Sequence, residues 1–144
     1  MRSGSRTAVF ALALVCGVLV VVGSLATWAK AAGQSFSGTD ANAGKTTLVG
    51  AIIALGLLAY ATWKLSRWAA VVAAIPAAIA ATIAAYRLAD IENFVQGYDN
   101  AIAGWGIWVA TIAAIALFVL CLVHALLPKA VEPVGTPVAP QPPP

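Results

Sequence analysis

Four long stretches without a charged residue most strongly constrain how this chain can fold. They cover residues 7–29, 46–63, 68–86 and 101–127, and charged residues separate each stretch from the next. A transmembrane helix needs about 20 predominantly apolar residues to cross the hydrocarbon core of a bilayer, and each stretch has roughly that length. The spacing therefore predicts an all-α membrane protein whose four transmembrane helices form a bundle within residues 1–127.

The composition supports lipid as the solvent for most of the chain. Of the 144 residues, 62% are hydrophobic and 9% are charged, whereas a soluble domain carries about 25% charged residues. A soluble domain of about 150 residues leaves about 30% of its unfolded surface exposed, so it cannot hide this much apolar surface. These figures exclude a soluble enzyme, a disulfide-stapled secreted domain and a disordered chain.

Basic residues predict the orientation, because cytoplasmic loops carry an excess of lysine and arginine. With the N-terminus inside, the cytoplasmic segments hold Arg2, Arg6, Lys64, Arg67 and Lys129, and the outer loops hold Lys30, Lys45 and Arg87. We therefore expect a multi-pass protein of the cell (inner or plasma) membrane with both termini in the cytoplasm. A cleaved signal peptide is the alternative for the first stretch, but that stretch exceeds the usual apolar region of about 7–15 residues.

The loops and the tail differ in composition from the four stretches. The first outer loop, residues 30–45, is rich in Gly, Ser and Ala and is expected to be flexible. In the second, residues 87–100, apolar residues recur every three or four positions, which predicts a short amphipathic helix. Residues 128–144 contain seven prolines, which predicts a disordered, proline-rich cytoplasmic tail. Within it, Pro137 and Pro140 fit a PxxP spacing that a cytoplasmic partner could bind.

All five tryptophans lie close to the ends of the predicted helices. An indole favours the membrane interface because its ring is apolar while its N–H binds water. The sequence therefore predicts interfacial anchors at Trp28, Trp63, Trp68, Trp105 and Trp108.

Alanines in the third stretch form the most specific packing pattern in the sequence. Helices in lipid associate through close van der Waals contact, which small side chains permit. A ladder at every fourth residue predicts the packing seam of the bundle, or of a dimer: Ala69, Ala73, Ala77, Ala81 and Ala85. Pro76 lies in the middle of this stretch and predicts a kink, because proline removes a helical hydrogen bond. A gating hinge is the alternative interpretation of this proline.

Residues that carry catalytic or metal chemistry are sparse in the predicted spans. No Asp, Glu, Lys or Arg lies inside them, and His124 is the one candidate for such chemistry. This histidine has no second histidine, cysteine or carboxylate at ligand spacing. Cys16 and Cys121 are expected to act as small apolar residues. The sequence thus predicts no enzyme, no cofactor or metal, no nucleic-acid partner and no evident small-molecule substrate.

These features favour a non-enzymatic protein that acts by contact within the membrane. The expected role is an accessory, assembly or regulatory subunit of a membrane complex, with a protein partner or further copies of itself. The composition resembles that of small four-span proteins of GC-rich bacteria and their phages, and this resemblance by composition transfers no function. A phage-borne membrane protein that blocks infection by competitors is a variant of the contact role. A self-associating, holin-like pore-former or a small channel is the alternative function.

Overall fold

Four long helices dominate the computed structural model, which describes residues 3–64, 66–91 and 100–127. Helix α1 covers Ser3–Leu25, α2 Asn42–Lys64, α3 Arg67–Ala89 and α4 Trp105–Leu126. Each of the four is long and apolar enough to cross a membrane. The prediction of four membrane-spanning candidates is therefore confirmed on length and composition, and the four helices indicate a multi-pass membrane protein.

A small antiparallel sheet connects the helices at one end of the bundle. Strand β1 (Thr27–Ala31) pairs with both β2 (Gln34–Ser37) and β3 (Ile102–Ala103), in the order β2–β1–β3. Ala32 and Gly33 form the turn between β1 and β2, with positive φ angles of 49° and 78°. A two-residue turn of this kind matches the right-handed twist of paired strands.

The strands shift two helix ends from their predicted positions and give the first outer loop a regular structure that the sequence does not predict. The first predicted span ends at residue 29, whereas α1 ends at Leu25 because β1 follows. The fourth predicted span begins at residue 101, whereas α4 begins at Trp105, after β3. The uncharged stretches run into β1 as far as Ala29 and include all of β3, so an absence of charge does not mark where a helix ends.

Two other predicted elements fall largely or wholly outside the described residues. The amphipathic helix expected over residues 87–100 overlaps the end of α3, and most of the rest lies in the undescribed segment 92–99. The proline-rich tail, residues 128–144, lies entirely beyond the described part of the chain. Both therefore stay predictions.

The four helices pack around a ring in chain order. Each helix contacts the next, α1 also contacts α4, and the diagonal pairs barely touch. Near the start of α1, Arg6 Nη2 donates a hydrogen bond to the Leu127 carbonyl oxygen, at 2.8 Å. The first and last described segments therefore meet at the end of the bundle that also carries Lys64 and Arg67. We call this the basic end, and we call the opposite end, which carries the sheet, the sheet end.

Small side chains fill much of the space between the helices. On α2, Gly50 lies so close to α3 that a Cβ atom there would be 3.0 Å from the Pro76 carbonyl oxygen. Lipid supplies no hydrophobic drive for helix association, so the bundle depends on such close contacts. Seven alanines of α3 are buried: Ala70, Ala73, Ala74, Ala77, Ala80, Ala81 and Ala84.

This buried row differs from the predicted alanine ladder at both ends of the helix. Ala73, Ala77 and Ala81 are buried, whereas Ala69 and Ala85 are only half-buried. An α-helix has 3.6 residues per turn, so each four-residue step overshoots a full turn by about 40°. A strict four-residue ladder therefore drifts away from one face. The buried row instead mixes steps of three and four residues, and it packs within a single copy of the chain.

Pro76 lies inside α3, and the helix continues on both sides of it from Arg67 to Ala89. Because its carbonyl oxygen lies beside Gly50, the proline belongs to a close contact between α2 and α3. The kink and the gating hinge stay predictions.

Replacing Ala77 by Leu should destabilise the bundle. Ala77 is completely buried, and overpacking a filled interior costs about 1–3 kcal/mol of unfolding free energy. The measurement is unfolding of the purified chain in mixed micelles as the SDS fraction rises, followed by circular dichroism. Ala59→Leu is the matched control, because Ala59 is an exposed alanine of α2 and should unfold like the parent. An unchanged midpoint for Ala77→Leu would contradict the close packing.

Candidate functional site

Trp28 lies at the centre of the sheet end, and its environment differs from the predicted interfacial anchor. The side chain is completely buried, and Nε1 donates a hydrogen bond to the Gly23 carbonyl oxygen at 2.9 Å. The indole N–H is therefore bonded to α1 and does not face water at an interface. Ile107 and Ala110 of α4 belong to the same buried apolar cluster, so Trp28 connects α1, β1 and α4.

The other four tryptophans lie on the surface of the bundle. Their exposed fractions are 77% for Trp63, 81% for Trp68, 57% for Trp105 and 51% for Trp108. Lys64 lies over the Trp63 ring, with Nζ 4.9 Å from the ring centroid. Trp63 and Trp68 lie at the basic end, and Trp105 and Trp108 lie at the sheet end. Their roles as interfacial anchors stay predictions.

Glycines allow the backbone to pack tightly around Trp28. Gly38 begins a single 3₁₀ turn, Gly38–Asp40, ahead of α2. A Cβ atom at Gly38 would be 2.5 Å from both the Trp28 ring and the Ser24 carbonyl oxygen. Gly44, near the start of α2, packs in turn against the Gly38 backbone. These contacts hold the connection between α1 and α2 against the bundle.

An open groove of about 350 Å³ lies between the start of α2 and the last turns of α3. The Thr46 hydroxyl already donates to the Asn42 carbonyl oxygen at 2.8 Å, and the Arg87 guanidinium lies 5.8 Å from the centroid of the Tyr86 ring. The groove therefore combines a cation with hydroxyl and aromatic groups at the sheet end. Its lining consists of Asn42, Ala43, Thr46, Thr82, Ile83, Tyr86 and Arg87.

Arg6 and His124 form a polar cluster at the basic end, which we call the Arg6–His124 cluster. Only 6% of Arg6 and 1% of His124 is exposed. Arg6 bonds to the Leu127 carbonyl oxygen, three residues beyond His124. By sequence alone Arg6 contributes only to orientation and His124 has no special role. The structure places both side chains inside the bundle.

Three nitrogen atoms of the Arg6–His124 cluster have unused hydrogen-bonding capacity. Arg6 Nε and both ring nitrogens of His124 are buried without a hydrogen-bond partner in the described part of the chain. Leaving a buried polar group unpaired costs free energy, so such groups usually have a protein, water or ligand partner. The cluster can therefore offer hydrogen-bond donors to an acceptor.

The spacing of the buried residues, which the structure reveals, places both members of this cluster on inward rows. The inward row of α1 runs back from Val20 through Gly17 and Ala13 in steps of three or four residues. Continued toward the N-terminus, the same row reaches Arg6, which predicts an inward side chain. His124 likewise follows Cys121 on the inward row of α4. The first predicted span starts at Thr7, so Arg6 is left out of it.

Side chains that could ligate a metal are not grouped together in the described residues. Among them, no group of three His, Cys, Asp or Glu side chains lies close enough to hold an ion. Cys121 is buried and Cys16 is half-buried, and both are free thiols. Their predicted role as small apolar residues fits their place in and beside the core.

The chain was compared with known proteins at three levels. No family model, no curated protein and no solved structure matches it.

Replacing Gly38 by Ala should destabilise the sheet end. The added methyl group would meet the Trp28 ring and a backbone carbonyl at 2.5 Å, and such overpacking costs about 1–3 kcal/mol. Gly56→Ala is the control, since no atom lies within 4 Å of a Cβ atom there. Within a helix this change should stabilise the chain by about 0.5–1 kcal/mol. SDS unfolding midpoints measure both effects, and equal midpoints would contradict the packing around Trp28.

Proposed function

We propose that this chain is a non-enzymatic membrane protein that acts by contact, as an accessory, assembly or regulatory subunit of a membrane complex. The folded sheet end is the observation that carries the proposal. Three strands, a 3₁₀ turn and the buried Trp28 give this end a defined surface. A preformed surface favours specific recognition, because little conformational entropy is lost on binding.

The side chains on the outer face of the sheet support recognition of a protein partner. Lys30 on β1 lies directly beside Ser35 on β2 and Ile102 on β3. All three are exposed, Ile102 by 68%. A cation, a hydroxyl and an apolar side chain therefore form one row across the sheet. Strand β2 lies at the sheet edge, where a partner strand can add to the sheet.

The interior of the bundle favours contact over conduction through a single chain. Leu58, Leu117 and Cys121 are completely buried together with the alanines. Large aliphatic side chains such as Val15 and Ile75 instead lie on the outer faces, 55% and 58% exposed. They are available to lipid or to neighbouring helices. A holin-like pore or a channel would therefore require several copies of the chain.

We also propose that the basic end lies in the cytoplasm, which places both termini there. Lys64 and Arg67 border the short connection between α2 and α3, and short basic loops favour the cytoplasmic side. The sheet end carries the acidic residues Asp40 and Asp90, and it faces outward in this orientation.

Cysteine labelling in intact cells tests this orientation. Ser35→Cys and Lys64→Cys are made separately in a chain whose Cys16 and Cys121 are replaced by alanine. Both positions are exposed and lie at opposite ends of the bundle. A membrane-impermeant maleimide should label Ser35→Cys in intact cells and Lys64→Cys only after permeabilisation. The reverse pattern would overturn the proposed orientation.

The contact function is tested by the native mass of the tagged chain, extracted gently from its own membrane, with all co-purifying chains identified. We expect a foreign chain in a fixed stoichiometric ratio. Lys30→Glu should lower the recovery of that partner at least about tenfold if Lys30 pairs with a carboxylate of the partner, because the two like charges would then cost several kcal/mol. Lys64→Glu is the matched control at the basic end and should retain the partner.

Two outcomes would contradict the contact function. A partner retained equally by Lys30→Glu and Lys64→Glu would exclude recognition through the sheet face. A homo-oligomer without any foreign chain would favour the pore-forming alternative. Leakage of dye from liposomes that contain the purified oligomer would then establish conduction.

A further inference from the structure

We propose that Arg6 and His124 form a binding site for a phosphate group at the basic end of the bundle. This inference is independent of the contact function, because it concerns the opposite end from the sheet. The shared chemistry is that of a phosphate oxygen accepting hydrogen bonds, from a phospholipid headgroup or from a soluble phosphate.

The position of the two side chains defines the site. Arg6 lies in the second turn of α1, and His124 lies in the last turn of α4. The hydrogen bond from Arg6 Nη2 to the Leu127 carbonyl oxygen, at 2.8 Å, fixes the guanidinium against the end of α4. Leu127 follows His124 by three residues, so both lie on the same face of that helix end. The site therefore consists of Arg6 from α1 together with His124 and the Leu127 carbonyl group at the end of α4.

Arg6 has two separable roles. Its Nη2 donor pairs with the carbonyl oxygen at the C-terminal end of α4, where carbonyl groups lack helical partners. This cap leaves Nε unused, and Nε is buried without a partner within the described chain, as are both nitrogens of His124. A purely structural cap accounts for Nη2 alone. A bound acceptor accounts for Arg6 Nε and for the one ring nitrogen of His124 that carries a hydrogen in the neutral imidazole.

The charges around the cluster select an anion. Arg6 supplies the positive charge at the cluster, and the described acidic residues, Asp40 and Asp90, lie at the opposite, sheet end. Arginine presents a planar fork of donors that suits phosphate oxygens. No described carboxylate is therefore at hand to neutralise Arg6 from within the chain.

The position of the site in the membrane favours phosphate over other anions. Arg6 lies within two turns of the start of α1 and His124 within two turns of the end of α4. Both helices have membrane length, and the ends of such helices reach the headgroup layer of the bilayer. Basic pockets between transmembrane helices are known to bind phospholipid headgroups. Arg6 as a whole is 6% exposed, and in this proposal the phosphate oxygen reaches the guanidinium from the headgroup layer.

The test is native mass spectrometry of the purified full chain in a neutral detergent. Three probes are added separately: phosphatidylglycerol, diacylglycerol, which lacks the phosphate, and glycerol phosphate, which lacks the acyl chains. Each is titrated against the parent chain, Arg6→Gln, His124→Leu and Arg67→Gln. Arg67 is the matched control, because it is an exposed arginine at the same end.

We expect the parent to retain phosphatidylglycerol and to release diacylglycerol. Arg6→Gln and His124→Leu should each weaken phosphatidylglycerol binding about tenfold, the effect of losing one charged hydrogen bond, while Arg67→Gln binds like the parent. Glycerol phosphate that binds as tightly as the lipid would identify a soluble phosphate as the source. If glycerol phosphate does not bind while phosphatidylglycerol does, the phosphate comes from a lipid headgroup.

Three results would overturn the phosphate site. The first is equal binding of phosphatidylglycerol to the parent, Arg6→Gln and His124→Leu. The second is equal retention of diacylglycerol and phosphatidylglycerol, and the third is no binding of either phosphate probe. Should Arg6→Gln fail to fold by circular dichroism, Arg6→Lys keeps the charge but lacks Nε, and it must still bind several-fold more weakly than the parent.

Discussion

Close approach of the helix backbones is the constraint on which the rest of this structure depends. A Cβ atom at Gly23 of α1 would be 2.7 Å from the Ala110 backbone nitrogen of α4. A Cβ atom at Gly106 would be 2.8 Å from the Gly23 carbonyl oxygen. In lipid, dispersion contacts of this kind replace the hydrophobic effect as the force that holds helices together. Small residues therefore fill much of the bundle interior, with a few large ones such as Leu58 and Leu117, while many large aliphatic residues lie on the outside.

The contact between α1 and α4 also explains why the polar features lie at the two ends. These helices run antiparallel and remain adjacent along their length. At one end, their contact brings Arg6 beside the last turn of α4. At the other end, it places Ile107 and Ala110 against Trp28. A single packed interface thus positions both the basic cluster and the folded sheet end, which are the two surfaces that the proposed contacts use.

Some features could be predicted from the sequence because they depend on local composition. Four uncharged stretches near the length of a bilayer crossing specify four helices, whatever their neighbours are. The alanines of α3 specify a packed face, and three of the five ladder positions, Ala73, Ala77 and Ala81, are buried. The ladder is inaccurate at its ends because a four-residue step does not match the 3.6-residue helical turn.

Other features could not be predicted from the sequence because they depend on residues that are distant in sequence. The β1–β2 turn uses Ala32 and Gly33 rather than the Asn-Gly pair that usually marks such a hairpin, and β3 pairs with β1 from the far side of α2 and α3. Trp28 is a tryptophan near the end of a predicted span, which is typical of the membrane interface. Gly38 and Ile107, from separate parts of the chain, nevertheless pack against it and bury it. Side-chain type does not show whether such partners are present.

The sequence by itself determined that lipid suits the four helices as a solvent, how many helices there are, and that they pack through small residues. Hydropathy and residue size act locally, so these features need no knowledge of distant residues. The tertiary structure alone decided where β1 interrupts the first apolar stretch, which face of α3 is buried at its ends and where Trp28 lies. It also decided that Arg6, a flanking charge by sequence, is buried and bonds to the Leu127 carbonyl oxygen, 121 positions along the chain. The physical reason is that the environment of a polar group is set by the helices that surround it, and only packing fixes those neighbours.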